Sequence, residues 1–443
     1  MKWAAIRAHR GEIAGERPLP GILARLPDPT ATRSSGQSAF PGSRPDVQYN
    51  VVPKYHGSNP VPHEIHFTAH GNKGFTFSYI LENPAAYPRT GVWSACRNAE
   101  EPFMTRITPP RPIDIEALFP ALAGFRRTAT RLHPRPGEPS AQDSSVAGPM
   151  LWPADEPWPV CTAVHPKGKG YRMADVRRAR LIDADSQGRA KTEEERQALA
   201  RLERATHAPE IRDEDPVPML AIAQLWARDI PDLRGPEGYD LLQVFWCPFE
   251  THGPDHSVEV VLKWRRGADT RGILSEQPEP VVVGRQECVP DRCVVHPEQV
   301  TEHEYIDLLP ADLREAIDAW QEDLLDEDED EDNENEDDDP FAIEYGSALS
   351  IAPGWKVGGF ATWHATDPRP VDCRTCGTPM PPLLTVHHVE WDPASASWAP
   401  EEDRCPDLYR HVITPTKVYL GRGYMRIHTC PTNPWHPHQL SFQ

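Results

Sequence analysis

The residues best placed for chemistry are Cys373 and Cys376, spaced Cys-x-x-Cys and followed at once by Gly377. Two thiolates on a glycine turn can bind one side of a tetrahedral zinc ion, which then needs two further nitrogen or sulfur donors. Cys430 is the third candidate ligand, and Cys405 or a histidine among His387, His388 and His428 can complete the set. Zinc is therefore the one candidate cofactor. A lone Cys-x-x-Cys is a weak metal signal beside two such pairs at ribbon spacing, and a small, buried, reduced turn is the competing reading. No βαβ pattern surrounds the pair, which argues against a redox motif. Cys288 and Cys293 form a second, weaker pair that reads as strand and loop. His133 and His165 are candidate general bases, but no nucleophile with a partnered carboxylate is readable beside either. The sequence holds no P-loop, Gly-x-Gly-x-x-Gly, His-Glu-x-x-His or Gly-x-Ser-x-Gly motif, so no catalytic residue is assigned. Trp152, Trp158, Trp363, Trp391 and Trp398 can line a groove, but core positions are the expectation, since aromatics dominate core packing.

Composition sets the frame for these residues. The chain has 443 residues, 38% of them hydrophobic, and 50 are proline, about twice the usual share. The net charge is −21, yet between Asp326 and Asp339 twelve of fourteen residues are acidic and none is basic. Nucleic acid is excluded as a direct partner, since phosphate binding needs concentrated Lys and Arg. Nine cysteines, an odd number, fit core or metal positions better than a disulfide frame. Without a signal-peptide core or an 18-residue apolar run, the expectation is a soluble, cytoplasmic protein with no membrane partner.

The elements follow in order. Residues 1–103 are rich in Pro, Gly, Ser and Arg and read as a disordered extension, or as residues upstream of a natural start at Met104. A small β unit at Glu64–Leu81 is the alternative. From 104 to 325 a first β-rich lobe is expected. It carries a helical insert at 167–215, in which Thr192 and Glu195 have capping-box spacing. Apolar runs at 217–227, 240–249, 257–265 and 279–284 read as strands. Ala311–Leu325 places Leu313, Ile317, Trp320 and Leu324 on one helical stripe. The acidic run 326–339 reads as a disordered, self-repelling linker. A second lobe, 340–443, holds the Cys-x-x-Cys knuckle.

The two lobes share an ordered set of residues. Trp152 precedes Cys161 as Trp363 precedes Cys373, and Gly148 leads into the first tryptophan as Gly358 and Gly359 lead into the second. Pro218-Met219 precedes Gln224 at the interval by which Pro379-Met380 precedes Thr385. LLQVFWCP aligns with YMRIHTCP, ending on Cys247 and Cys430. The fold class predicted is α+β, mainly antiparallel, with two pseudo-repeated lobes.

Gly358, Gly359, Trp363, Pro370, Cys373, Cys376, Gly377, Met380, Leu383, Leu384 and Cys430 together resemble the YwqG-like family of bacterial proteins. They are also distantly similar to the eukaryotic programmed-cell-death-protein-two family. The resemblance spans about Met104–Gln443. It departs from the family at Thr385, where glutamine is usual, and at Gly421-Arg422-Gly423, a reduced Gly-Asp-x-Gly turn. It implies a duplicated antiparallel fold. For the eukaryotic relatives it implies binding of ribosomal proteins; for the bacterial branch it implies no established activity. The expected function is therefore a non-enzymatic, chaperone- or adaptor-like protein-binding module, with a basic client met through the acidic run. An immunity protein against a toxin, or a small-molecule or zinc enzyme using the cleft between lobes, are the alternatives.

Overall fold

In the computed structural model the apolar runs become the central strands of two sheets. It describes residues 105–186, 189–203, 211–253, 256–329, 343–404 and 412–443, and short strands within the first hundred residues. A one-turn helix α1 (Ile115–Leu118), capped by Asp114, leads into β1 (Arg126–Arg131), β2 (Arg135–Pro136), β3 (Ser145–Val146) and β4 (Val160–Cys161). The helices α2 (Met173–Ser186) and α3 (Glu193–Glu203) follow. Then come β5 (Val217–Pro218), β6 (Leu220–Trp226), β7 (Leu241–Trp246), β8 (Val260–Arg265), β9 (Cys293–Val294) and β10 (Glu298–His303). After α4 (Ala311–Glu329) come β11 (Lys356–Gly358), β12 (Pro382–His387), β13 (Tyr424–His428) and β14 (Gln439–Phe442).

The first sheet has the order β8-β7-β6-β3-β9-β2 and the second β10-β1-β11-β12-β13-β14, with every pairing antiparallel. Ile222, Val244 and Trp246 of the first share one core with Val357, Leu384, Val386, Met425 and Ile427 of the second. Full burial of each such aliphatic side chain contributes about 1.5–3 kcal/mol. Strands β7 and β12 are buried along their whole length, on both faces. That burial explains why the sequence shows unbroken apolar runs there instead of a period of two.

Several expectations change in detail. The second sheet takes β1 and β10 from residues assigned to the first lobe, so no single cut in the sequence separates the sheets. The insert forms two helices as expected, and Thr192 and Glu195 exchange their capping-box hydrogen bonds. The run 279–284 reduces to Val282–Val283, paired with Tyr171–Arg172. Helix α4 continues through Glu329, into the stretch expected to be a disordered linker; 330–342 lie outside the described residues. A long helix can absorb the first acidic residues because its apolar stripe is already anchored, with Leu313 and Ile317 buried.

The unit Met1–Arg89 is separate. There Ile65–His70 and Thr76–Leu81 pair as a hairpin, and Arg7–Ala8 joins the second strand's other edge. That part of the expected disordered extension is a small β unit, matching the alternative at Glu64–Leu81.

Candidate metal centre

Cys373 and Cys376 sit on a turn closed by two backbone hydrogen bonds. The Cys373 N–H donates to the Thr378 carbonyl and the Gly377 N–H to the Cys373 carbonyl, both at 2.8 Å. Gly377 takes a φ of +70°, the left-handed conformation that glycine adopts without strain. Strand β13 delivers Cys430 two residues beyond its end. The loop that follows folds back on the His436 N–H, which donates to the Asn433 carbonyl at 3.0 Å. Cys373 Sγ lies 3.3 Å from His436 Nδ1, and Cys376 Sγ lies 3.5 Å from Cys430 Sγ. One ligand atom from each of the four falls within 4.8 Å of the others. Thr378 holds the exposed Cys376 thiol down to about 6, first through its hydroxyl at 3.3 Å and then through its backbone.

The sequence named Cys373, Cys376 and Cys430, and the structure brings these three together. The fourth donor is His436, which the sequence reading missed. His387 is buried and stacked on Tyr424, with ring centroids 3.5 Å apart. His388 lies beside the Gly423 carbonyl, and His428 is spent on the Met380 carbonyl and the Ser441 hydroxyl. Cys405 lies outside the described residues. The missed signal was Cys430-Pro431 followed closely by a histidine, a pattern also present at Cys247-Pro248 and His252.

The residues read as structural motif carry a second group. Cys161 ends β4 and Cys247 follows β7, and the two sulfurs meet His165 Nε2 at 3.2 and 3.3 Å. His252, on the turn between β7 and β8, places Nε2 3.9 Å from Cys161 Sγ. All four donor atoms again lie within 4.8 Å. Burial pushes the Cys161 and Cys247 thiols up and the His165 imidazole down to about 4.

The other motif residues hold the frame. Gln224 is fully buried. Its Oε1 accepts from the Leu151 N–H at 2.6 Å and from Gln243 Nε2 at 2.9 Å, while its Nε2 donates to the carbonyls of Ala141 and Asp143. A Cβ on Gly148 would fall 2.3 Å from Ser145 Oγ, and one on Gly359 would fall 2.2 Å from Glu302 Oε2. Met219 and Met380 are core residues and Pro370 is exposed. All five tryptophans are buried, so they line no groove; Trp158 donates to the Met219 carbonyl and Trp398 to the Ser347 carbonyl. Cys288 and Cys293 belong to the core between the sheets. His133 is buried between two carboxylates, Glu298 at 3.1 Å from Nε2 and Glu390 at 4.0 Å from Nδ1.

A cavity of about 390 Å³ is lined by Glu250, His256, Ser257, Thr366, Arg422 and Gln443, among others. Two of its polar groups are engaged: the Ser257 hydroxyl donates to the His252 carbonyl, and Glu250 pairs with Arg285 and accepts from the Gly421 N–H. No helix among the described residues is long and apolar enough to cross a membrane. Compared with known proteins, the chain matches no family model and no curated protein.

Proposed function

We propose that the chain is a zinc-stabilised, two-sheet scaffold of the YwqG-like kind that binds a protein partner and performs no reaction. The observation that carries this is the closed donor set of Cys373, Cys376, Cys430 and His436. A catalytic zinc keeps one position open for water or substrate, whereas four protein donors fill a tetrahedron and leave none.

Three features support duplication of the lobes. Val160, just before Cys161, pairs with Pro218 of Pro-Met, and Asp372, just before Cys373, pairs with Pro379 of Pro-Met. A β-bulge falls at Ile222, three residues after Met219, and at Leu383, three residues after Met380. Gln224 faces Gln243, four residues before Cys247, and Thr385 faces Arg426, four residues before Cys430. Bulges are placed features of a sheet, so matched bulges are a stronger sign of common descent than matched composition.

The partner is a basic protein met through the acidic run that continues from α4. The test is a pull-down with the full, zinc-loaded chain at low and moderate salt. A near-stoichiometric basic protein that dissociates as salt rises supports the reading, and its identity separates a chaperone from an immunity protein. An empty pull-down from a folded bait sinks it and moves the weight to the cavity lined by Glu250 and Gln443 as a small-molecule site.

A further inference from the structure

Cys161 and Cys247 belong to different parts of the chain, and nothing in their spacing marks them as a pair. We propose that Cys161, His165, Cys247 and His252 hold a second tetrahedral zinc ion, one that fastens the root of the helical insert to the first sheet.

The first argument is spacing. With Zn–S about 2.3 Å and Zn–N about 2.0–2.1 Å, a tetrahedron has S···N edges of about 3.6 Å. Three of the four S···N separations are 3.2, 3.3 and 3.9 Å, which bracket that value, and the fourth lies within 4.8 Å.

The second is the way both imidazoles are held from behind. His165 Nδ1 lies 3.0 Å from the Thr251 hydroxyl, and His252 Nδ1 lies 3.4 Å from the Glu259 carboxylate. With Nδ1 protonated, the Thr251 hydroxyl accepts from His165 and the Glu259 carboxylate faces His252 at ion-pair distance, and both Nε2 lone pairs then point inward to the sulfurs. Metal-ligating histidines are supported in this way. Stacking of His165 on Phe249, with centroids 4.5 Å apart and planes within 8°, sets the ring orientation further.

Charge gives the third. On binding, two thiol protons leave to water, and two thiolates with two neutral imidazoles cancel the charge of the dication. A neutral cluster suits a site where Cys161, His165 and Cys247 are all buried. The Cys373 centre has three thiolates and a net negative charge, and there one cysteine, Cys376, is exposed. Each ligand set fits its surroundings. Sulfur and imidazole donors in a tetrahedron select zinc among the common divalent ions.

The location supplies the role. Cys161 pairs with Val217, the strand that receives the chain from the insert, and the His165 N–H donates to the Asp213 carbonyl at 3.1 Å. Lys167, buried, donates its ammonium to the carbonyls of Arg212, Asp213 and Asp215 at 2.6–3.0 Å. The two chain segments at the neck of the insert are thus tied together within a few residues of the ligands, and Cys247 and His252 tie them to β7 and β8.

Zinc counted on the dialysed full chain tests this independently of the Cys373 centre. The expected result is two zinc ions in the wild type, one in Cys161→Ser/Cys247→Ser and one in Cys373→Ser/Cys376→Ser. One zinc in the wild type, lost in Cys373→Ser/Cys376→Ser alone, overturns this proposal and leaves the other centre standing; no zinc in the wild type overturns both. If the double serine variant fails to fold, Glu259→Gln keeps the question open to measurement, because it removes no ligand. In Cys373→Ser/Cys376→Ser, where the Cys161 site alone remains, Glu259→Gln is expected to weaken zinc about 10–100-fold in chelator competition. An unchanged affinity counts against the site. In the same background, chelation is expected to speed amide exchange at His165 and Lys167, and protection that ignores the chelator removes the role at the insert's root.

Discussion

Glu302 shows what single residues decide here. It is fully buried; its carboxylate meets Lys356 Nζ at 2.6 Å and accepts from the N–H groups of Ala352 and Phe360 at 3.0 and 2.8 Å. Glu302→Ala strands a buried ammonium and two amides, and the expected loss is about 3–5 kcal/mol in urea unfolding. A loss under 1 kcal/mol would show that water reaches Lys356. The same carboxylate explains Gly359, whose φ is +70° and whose absent Cβ leaves it room, so the glycine pair was legible in sequence while its reason was not. His387 brings a pH dependence. Burial first, then His388 and His364, hold its imidazole well below the ordinary value of 6.5. The unfolded chain therefore binds a proton that the folded chain refuses, and this contribution to stability, complete above about pH 6.5, is lost as pH falls below it. Between pH 7.5 and 5.5, His387→Gln is expected to lose less stability than the wild type; parallel losses would remove His387 as the cause.

At the scale of elements, strands were readable where burial on both faces forced continuous apolar runs, as in β7 and β12. The partners of those strands were not. β1 and β10 pair with each other over six positions, yet β1 leads across to β11 and so joins the second sheet. Strand choice is a long-range matter that composition does not encode. The polar residue inside such a run is the informative one. Gln224, using both ends of its amide, holds the 141–143 loop and Leu151 against β6. Gln224→Leu leaves the buried Leu151 N–H without its acceptor, at a cost of about 1–3 kcal/mol. The expected outcome is a lower unfolding midpoint with an unchanged zinc count. A fall in zinc would mean that the amide supports the neighbouring Cys161 group as well.

For the whole molecule, the proposed zinc ions and the acidic run are expected to make separable contributions. A metal that binds only the folded chain stabilises it by mass action, so chelation is expected to lower Tm in proportion to the number of sites emptied. A Tm that does not respond to chelator in the wild type would remove zinc from the stability of the fold. Removal of residues 330–339 is expected to leave Tm and zinc unchanged while weakening capture of a basic partner at low salt, where screening is least. Equal capture by the shortened chain would show that the acidic run has no part in it.

Local patterning alone determined the strands, the insert with its cap, the thiols of the Cys373 knuckle and Cys430, because propensity, burial period and short spacing are written in neighbouring residues. It also showed the order Trp, Cys, Pro-Met, strand, Cys-Pro twice over. Only the tertiary structure decided that His436, not His387, His388 or His428, completes the knuckle, and that Cys161 and Cys247 meet His165 and His252. Donors that converge from separate strands and turns carry no common spacing, since the distance between them is set by sheet register and loop closure. Metal geometry is a property of the folded chain.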